Sequence, residues 1–182
     1  MCPSPPSTAT SLWLTIQLRP GKRRLLAELT TRDKTGDPAE SLYKTGLDSL
    51  WLGNFDDALG YFENAVNKNP SRADAWVQVG FCRVKQGKND EAIKAYHQAV
   101  LLMPESDEIR NKLGDAYYYS GNLMEAISAY KEAVRLRPQS AEGYYNLALA
   151  YFENGNQQEG LNAARVLKQL DGRLFARLMS ER

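Results

Sequence analysis

The sequence predicts an all-α fold, a solenoid of stacked helical hairpins, and three observations carry that prediction. Pro70, Pro104 and Pro138 recur every 34 residues, and each closes an apolar run of helical period. Sliding the chain against itself by 34 residues aligns further columns: Gly46, Gly80, Gly114 and Ala148; Gly53, Gly87, Gly121 and Gly155; Ala58, Ala92, Ala126 and Gly160; Phe62, Tyr96 and Tyr130; Ala65, Ala99 and Ala133. Suitable helix-start residues stand near the start of each unit. A period of this length marks one supersecondary unit that buries its apolar face only by stacking on its neighbours.

Each element follows from these columns. Asp37-Pro38-Ala39-Glu40 offers an N-cap, a proline at the first helical position and a carboxylate at the third, a capping box in outline. Ser71, Ser106 and Ser140 are suitable N-caps for the later units. Helix pairs are expected at about 39–52 and 55–68, 73–86 and 89–102, 107–120 and 123–136, and 141–154 and 157–170. The first small-residue column lets two antiparallel helices approach, with the alanine column of the second helix opposite it. The second glycine column follows each first helix, where a left-handed cap favours glycine. The aromatic column fills the space between neighbouring hairpins. Proline ends each second helix because it cannot continue one.

The unit from Asp107 to Ser140, DEIRNKLGDAYYYSGNLMEAISAYKEAVRLRPQS, resembles a tetratricopeptide repeat over its whole length. Leu113, Gly114, Tyr117, Ala126, Tyr130, Ala133 and Pro138 stand at the signature positions. The second unit supplies Trp76, Gly80, Ala92, Tyr96, Ala99 and Pro104, with Arg83 where an aromatic or aliphatic residue is usual. The first supplies Leu42, Gly46, Ala58, Phe62, Ala65 and Pro70, with Thr45 and Ser49 as polar departures. The fourth keeps Tyr144, Leu147, Ala148 and Tyr151, then departs at Gly160 and Ala164. The resemblance implies a right-handed α-solenoid of about four repeats, at about 39–72, 73–106, 107–140 and 141–172, within a repeat domain spanning 37–172. It implies a protein-interaction module rather than an enzyme.

The ends stand outside the pattern. Leu174, Phe175 and Leu178 share one helical face, so residues 173–182 read as a C-terminal capping helix and tail. Residues 1–36 read as a disordered or loosely packed segment: Met1 to Ser11 is rich in Pro, Ser and Thr, and Leu12 to Leu18 alternates like a strand with no strand to pair with. That apolar run precedes Lys22-Arg23-Arg24, whereas a secretory signal carries its positive charge first.

Composition narrows the function classes. A formal net charge of +1 offers no global field for nucleic acid or an anionic membrane. No run approaches the ~20 apolar residues of a membrane-spanning helix, and the chain reads as cytoplasmic. Cys2 and Cys82 lie too far apart in sequence to suggest a zinc site or disulfide framework. His97 is the only histidine and falls on the outer part of a second helix. No phosphate loop or metal-ligand spacing is present, so no cofactor or metal is expected.

In this family the first helix of each pair lines the concave groove, and the resemblance places groove residues at the second, fifth, sixth, ninth, twelfth and thirteenth positions of the unit. The fifth positions are Tyr43, Val77, Asn111 and Tyr145; the sixth are Lys44, Gln78, Lys112 and Asn146; the ninth are Leu47, Phe81, Asp115 and Leu149. Twelfth positions are Leu50, Val84, Tyr118 and Phe152, some of which serve inter-helix packing in the family. The groove is therefore apolar and aromatic with a polar edge, suited to a partner peptide or amphipathic helix. Self-association, or service as a regulatory subunit of a larger complex, is the alternative. The second-position row Glu40, Asp74, Glu108 and Glu142 has a simple explanation, since carboxylates in a first turn favour the helix dipole. The same row disfavours an RNA-reading helical array. The carboxylate clamp by which related co-chaperones grip chaperone tails requires Lys and Asn at the fifth and ninth positions of the first repeat. This chain has Tyr43 and Leu47 there, and Gln78, Glu108 and Lys112 at the later clamp positions.

Overall fold

In a computed structural model, residues 36–181 are described. The expectations placed on Leu12 to Leu18, on Lys22-Arg23-Arg24 and on the rest of the chain before residue 36 lie outside them. The described residues hold nine helices and no strand. They are α1 (Pro38–Trp51), α2 (Phe55–Lys68), α3 (Ala73–Lys85), α4 (Asn89–Leu102), α5 (Asp107–Tyr119), α6 (Leu123–Leu136), α7 (Ala141–Glu153), α8 (Gln157–Leu170) and α9 (Gly172–Ser180). Eight of them pair in sequence as antiparallel hairpins, each hairpin stacks on the next, and α9 caps α7 and α8. The expected ends of these eight agree to within one residue.

The turn inside each hairpin is the same motif four times. Gly53, Gly87, Gly121 and Gly155 take φ of 78°, 73°, 81° and 79°, a region costly for any residue with a Cβ. Around Gly87, the Gly87 N–H donates to the Val84 carbonyl and the Lys88 N–H to the Arg83 carbonyl, both at 2.9 Å. Asn54, Asn122 and Asn156 close the other three turns as Lys88 does here. This is the Schellman cap, which satisfies the last carbonyls of each first helix.

Within a hairpin the atoms nearest a Cβ added to each glycine of the first column belong to the aromatic column. A Cβ on Gly46 would come 2.6 Å from the Phe62 ring, one on Gly80 2.7 Å from Tyr96, and one on Gly114 2.5 Å from Tyr130. The aromatics also reach the following hairpin, as the spacing implied. Phe62 packs with Val79 and Cys82, Tyr96 with Leu113 and Ala116, and Tyr130 with Leu147 and Ala150. Each ring thus joins its own hairpin to the next one. Ala58, Ala92 and Ala126 lie at 0% exposure, which leaves the second helix no room for a larger residue there.

The fourth repeat solves the same problem in reverse. Its aromatic-column position is Ala164, and Phe152 on the first helix fills the space. Gly160 replaces alanine to receive it, since a Cβ there would sit 2.3 Å from the Phe152 ring. The apparent loss of pattern at Gly160 and Ala164 is therefore a relocated aromatic.

The helix starts follow the forecast in two of three cases. Ser106 accepts from the Ile109 N–H and Ser140 from the Gly143 N–H. At the second unit the N-cap is Arg72 rather than Ser71, and it makes no side-chain cap. The proline carbonyls find partners across the hairpin junction: Trp76 Nε1 donates to Pro70 at 2.9 Å, and Arg110 Nη2 donates to Pro104 at 3.0 Å. Helix α9 is capped by Asp171, whose Oδ1 accepts from the N–H groups of Arg173 and Leu174. Its Leu178 is fully buried, with Leu174 and Phe175 half-buried against the same cluster.

Candidate interaction groove

The first helices share one open face. Leu47, Leu50 and Trp51 of α1, Val77, Gln78, Phe81 and Lys85 of α3, and Glu108 and Lys112 of α5, with Phe55, line an open cavity of about 610 Å³. Of the residues named above for a groove, Leu47, Leu50, Val77, Gln78, Phe81 and Lys112 therefore converge here. Trp51, at the thirteenth position of the first unit, and Phe55, which the register did not mark, complete its apolar wall. Trp51 is 75% exposed at the last residue of α1.

The polar groups on this face are mostly engaged. Lys44 pairs with Glu40 at 3.0 Å and Lys112 with Glu108 at 3.5 Å, so sixth-position lysines neutralise second-position acids one turn away. Arg72 pairs with Glu40 and, at 3.0 Å, with Asp74, while its guanidinium lies 4.4 Å from the centre of the Tyr43 ring. Hydrogen bonds and charges from Lys44 and Arg72 hold the Glu40 carboxyl below its ordinary pKa. Asn111, Asp115 and Asn146 form a small network: Asn146 Nδ2 donates to Asp115 at 3.2 Å and to Asn111 at 3.4 Å, and the Tyr130 hydroxyl donates to Asp115 at 2.7 Å. Burial pushes the Asp115 carboxyl above the usual carboxylate range, with the Tyr130 hydrogen bond opposing it.

The far end of the row is overlaid by α9. The Tyr145 hydroxyl donates to Glu181, and Arg177 lies 5.7 Å from the centre of the Tyr145 ring. Leu149 is half-buried in the cluster beneath α9. The capping helix thus takes up part of what the repeat pattern assigned to the groove, and the accessible apolar surface is concentrated over repeats one to three.

The remaining candidates stand apart from this face. His97 is exposed on α4, its Nε2 2.7 Å from the Tyr117 hydroxyl. Cys82 is fully buried, and burial raises its thiol pKa to about 11. Arg83, the polar departure of the second unit, pairs with Glu63 of α2 and, at 3.0 Å, with Glu91 of α4, joining the second helices of adjacent hairpins. Thr45 and Ser49 donate to the Ser41 and Thr45 carbonyls within α1. Among the described residues no three His, Cys, Asp or Glu side chains converge as metal ligands, and no helix is long and apolar enough to cross a membrane.

The TPR repeat family model matches residues 82–121 and again 114–155, and a tetratricopeptide repeat model matches residues 40–71. The chain belongs to the tetratricopeptide-repeat family. Solved TPR structures superpose on this TPR protein over most of its length. A crystal structure of MamA gives a TM-score of 0.74 at 22% identity, covering 87% of this chain and 98% of that one. MamA from residue 41 to its end, from Desulfovibrio magneticus RS-1, gives 0.75 at 21% identity, covering 84% and 86%. TTC0263, a thermophilic TPR protein of Thermus thermophilus, gives 0.64 at 22% identity, covering 79% and 82%. At such identities the likeness is one of fold. No curated protein matches the chain in sequence.

Proposed function

We propose that the protein is a non-catalytic interaction scaffold that holds a peptide or helical segment of a partner protein against the face of its first helices. The observation that carries this reading is the open cavity walled by Leu47, Trp51, Phe55, Val77 and Phe81. A tryptophan left 75% exposed beside such a wall is suited to anchor a partner. Covering a ring that offers 150 Å² or more yields about 3–4 kcal/mol. Trp is also enriched among the few residues that dominate binding energy. The reading disfavours a chaperone C-terminal tail held by a carboxylate clamp, because Tyr43 and Leu47 stand where that clamp needs a lysine and an asparagine.

The test is an affinity pull-down from native lysate with mass-spectrometric identification, comparing wild type with Leu47→Ala/Trp51→Ala. Both side chains are exposed, at 38% and 75%, so the variant retains its fold. A specific partner captured by wild type and lost from the variant supports the reading. Equal capture by both forms removes this face from the function.

A further inference from the structure

Internal ion pairs leave the charge on this face unevenly distributed. Over the first two repeats Glu40 is paired with Lys44 and Arg72, and Asp74 with Arg72. Glu108 is paired with Lys112. Further along, Glu142 has no ion-pair partner among the described residues, and Asp115 receives its hydrogen bonds from two neutral donors, Tyr130 and Asn146. Lys85 also lacks an ion-pair partner among the described residues. It lies over the Phe81 ring at 5.3 Å and also lines a neighbouring cavity together with Asp56 and Asp57. The surplus is therefore negative, and it lies one repeat beyond the apolar cavity.

The array itself shows what neutralises such a place. At the first junction the Arg72 guanidinium covers the Tyr43 ring and bridges Glu40 and Asp74. Tyr145 and Glu142 repeat Tyr43 and Glu40 in the fourth unit, but Leu174 stands where the same shift places Arg72, and Ser140 precedes Glu142 as Arg72 precedes Asp74. Arg177 covers Tyr145, yet its ion pair is with Glu181 at 2.8 Å, which leaves Glu142 unmatched.

Phe81 and Asp115 hold the same position in successive repeats, 34 residues apart. Consecutive first helices are offset by one helix diameter, ~10–12 Å, and an extended chain rises about 3.3 Å per residue, so a bound segment covers this step in roughly three residues. We infer that the groove takes an extended partner segment in which a bulky apolar side chain seats against Trp51, Phe55 and Phe81, and a lysine or arginine about three residues away reaches Asp115 and Glu142. This rests on the groove reading above, and it names the partner's chemistry.

The test is selection of random dodecapeptides displayed on phage against the full chain, with wild type, Trp51→Ala, and Asp115→Asn/Glu142→Gln run in parallel. Asparagine keeps the acceptor for Tyr130 and Asn146 while removing the charge, and circular dichroism melts verify that each variant is folded. Wild type is expected to enrich an apolar anchor with Lys or Arg about three residues away. The neutralised variant is expected to keep the anchor and lose the basic preference, binding a synthetic peptide of the enriched sequence about fivefold more weakly. Enriched peptides with an anchor but no basic preference, or a preference unchanged in the neutralised variant, overturn the inference and leave the groove reading standing. No enrichment, or enrichment indifferent to Trp51→Ala, overturns both. Concentration-dependent dimerisation of wild type that Trp51→Ala abolishes assigns the face to a second copy of the chain and likewise overturns the inference.

Discussion

Replacing Gly114 with alanine adds one methyl group at the closest joint of the third hairpin. That Cβ would lie 2.5 and 2.6 Å from Cε1 and Cδ1 of Tyr130, where carbon atoms normally stand 3.5–4.0 Å apart. The ring must retreat by about 1 Å to restore ordinary contact. It is held in place, because Tyr130 is 2% exposed and its hydroxyl is anchored on Asp115 at 2.7 Å. Overpacking of this kind costs ~1–3 kcal/mol, and loss of a hydrogen bond to a charged group adds ~1.5–3 kcal/mol. Exchanging glycine for alanine within a helix returns ~1 kcal/mol. The net expectation is a loss of about 2–4 kcal/mol, or a fall in Tm of roughly 6–15 °C for a domain of this size. Gly60 supplies the control, since it is also helical and nothing lies within 4 Å of its Cβ position. Gly60→Ala is expected to raise Tm slightly. Thermal melts by circular dichroism decide the matter: a Gly114→Ala protein melting with wild type, or a Gly60→Ala protein losing as much, refutes the hairpin geometry. Tyr130→Leu should relieve much of the Gly114→Ala penalty, and the double-mutant cycle measures that coupling.

Ser106→Ala and Ser140→Ala should each cost about 1 kcal/mol in urea denaturation, while Ser71→Ala, which removes no cap, should stay within about 0.5 kcal/mol of wild type. Asp115 sets a pH dependence of known sign. Its folded pKa lies above the unfolded value near 3.9, so the folded form holds the extra proton between the two, and its contribution to stability falls as pH rises through that window. Asp115→Asn is therefore expected to gain Tm relative to wild type at pH 7 and to lose that advantage at pH 3.5. Lys112 and Glu142 act on the same carboxyl in opposite directions. An advantage constant across pH would assign the effect to something other than the Asp115 charge.

The array was legible in the sequence because its main determinants are local and repeated. A 34-residue proline period, a glycine after each first helix and alternating small and aromatic columns place eight helices to within one residue. Pairings across the hairpins were harder to read. A column alignment shows that Gly80 and Tyr96 recur, but the closeness that would bring a Cβ on Gly80 to 2.7 Å from the Tyr96 ring depends on the crossing of α3 and α4. The Phe152 and Gly160 exchange breaks both columns at once, so it reads as lost pattern until the two residues are seen together. The groove was half legible. Register placed Leu47, Val77 and Phe81 on the cavity wall. It could not show that Arg177 and Glu181, beyond the last repeat, would overlay Tyr145. Phe55 escaped because it opens the second helix of its hairpin, whereas the register marks positions on the first helices only.

The most direct test of the central claim, that a partner lies on the face of the first helices, is methyl-resolved NMR. Spectra of Leu- and Val-labelled protein would be recorded alone and with a peptide selected on the wild-type chain. The account predicts that the largest shift changes fall on Leu47, Leu50 and Val77, all lining one cavity. Largest changes at Leu101 or Leu161, exposed on second helices, would contradict it.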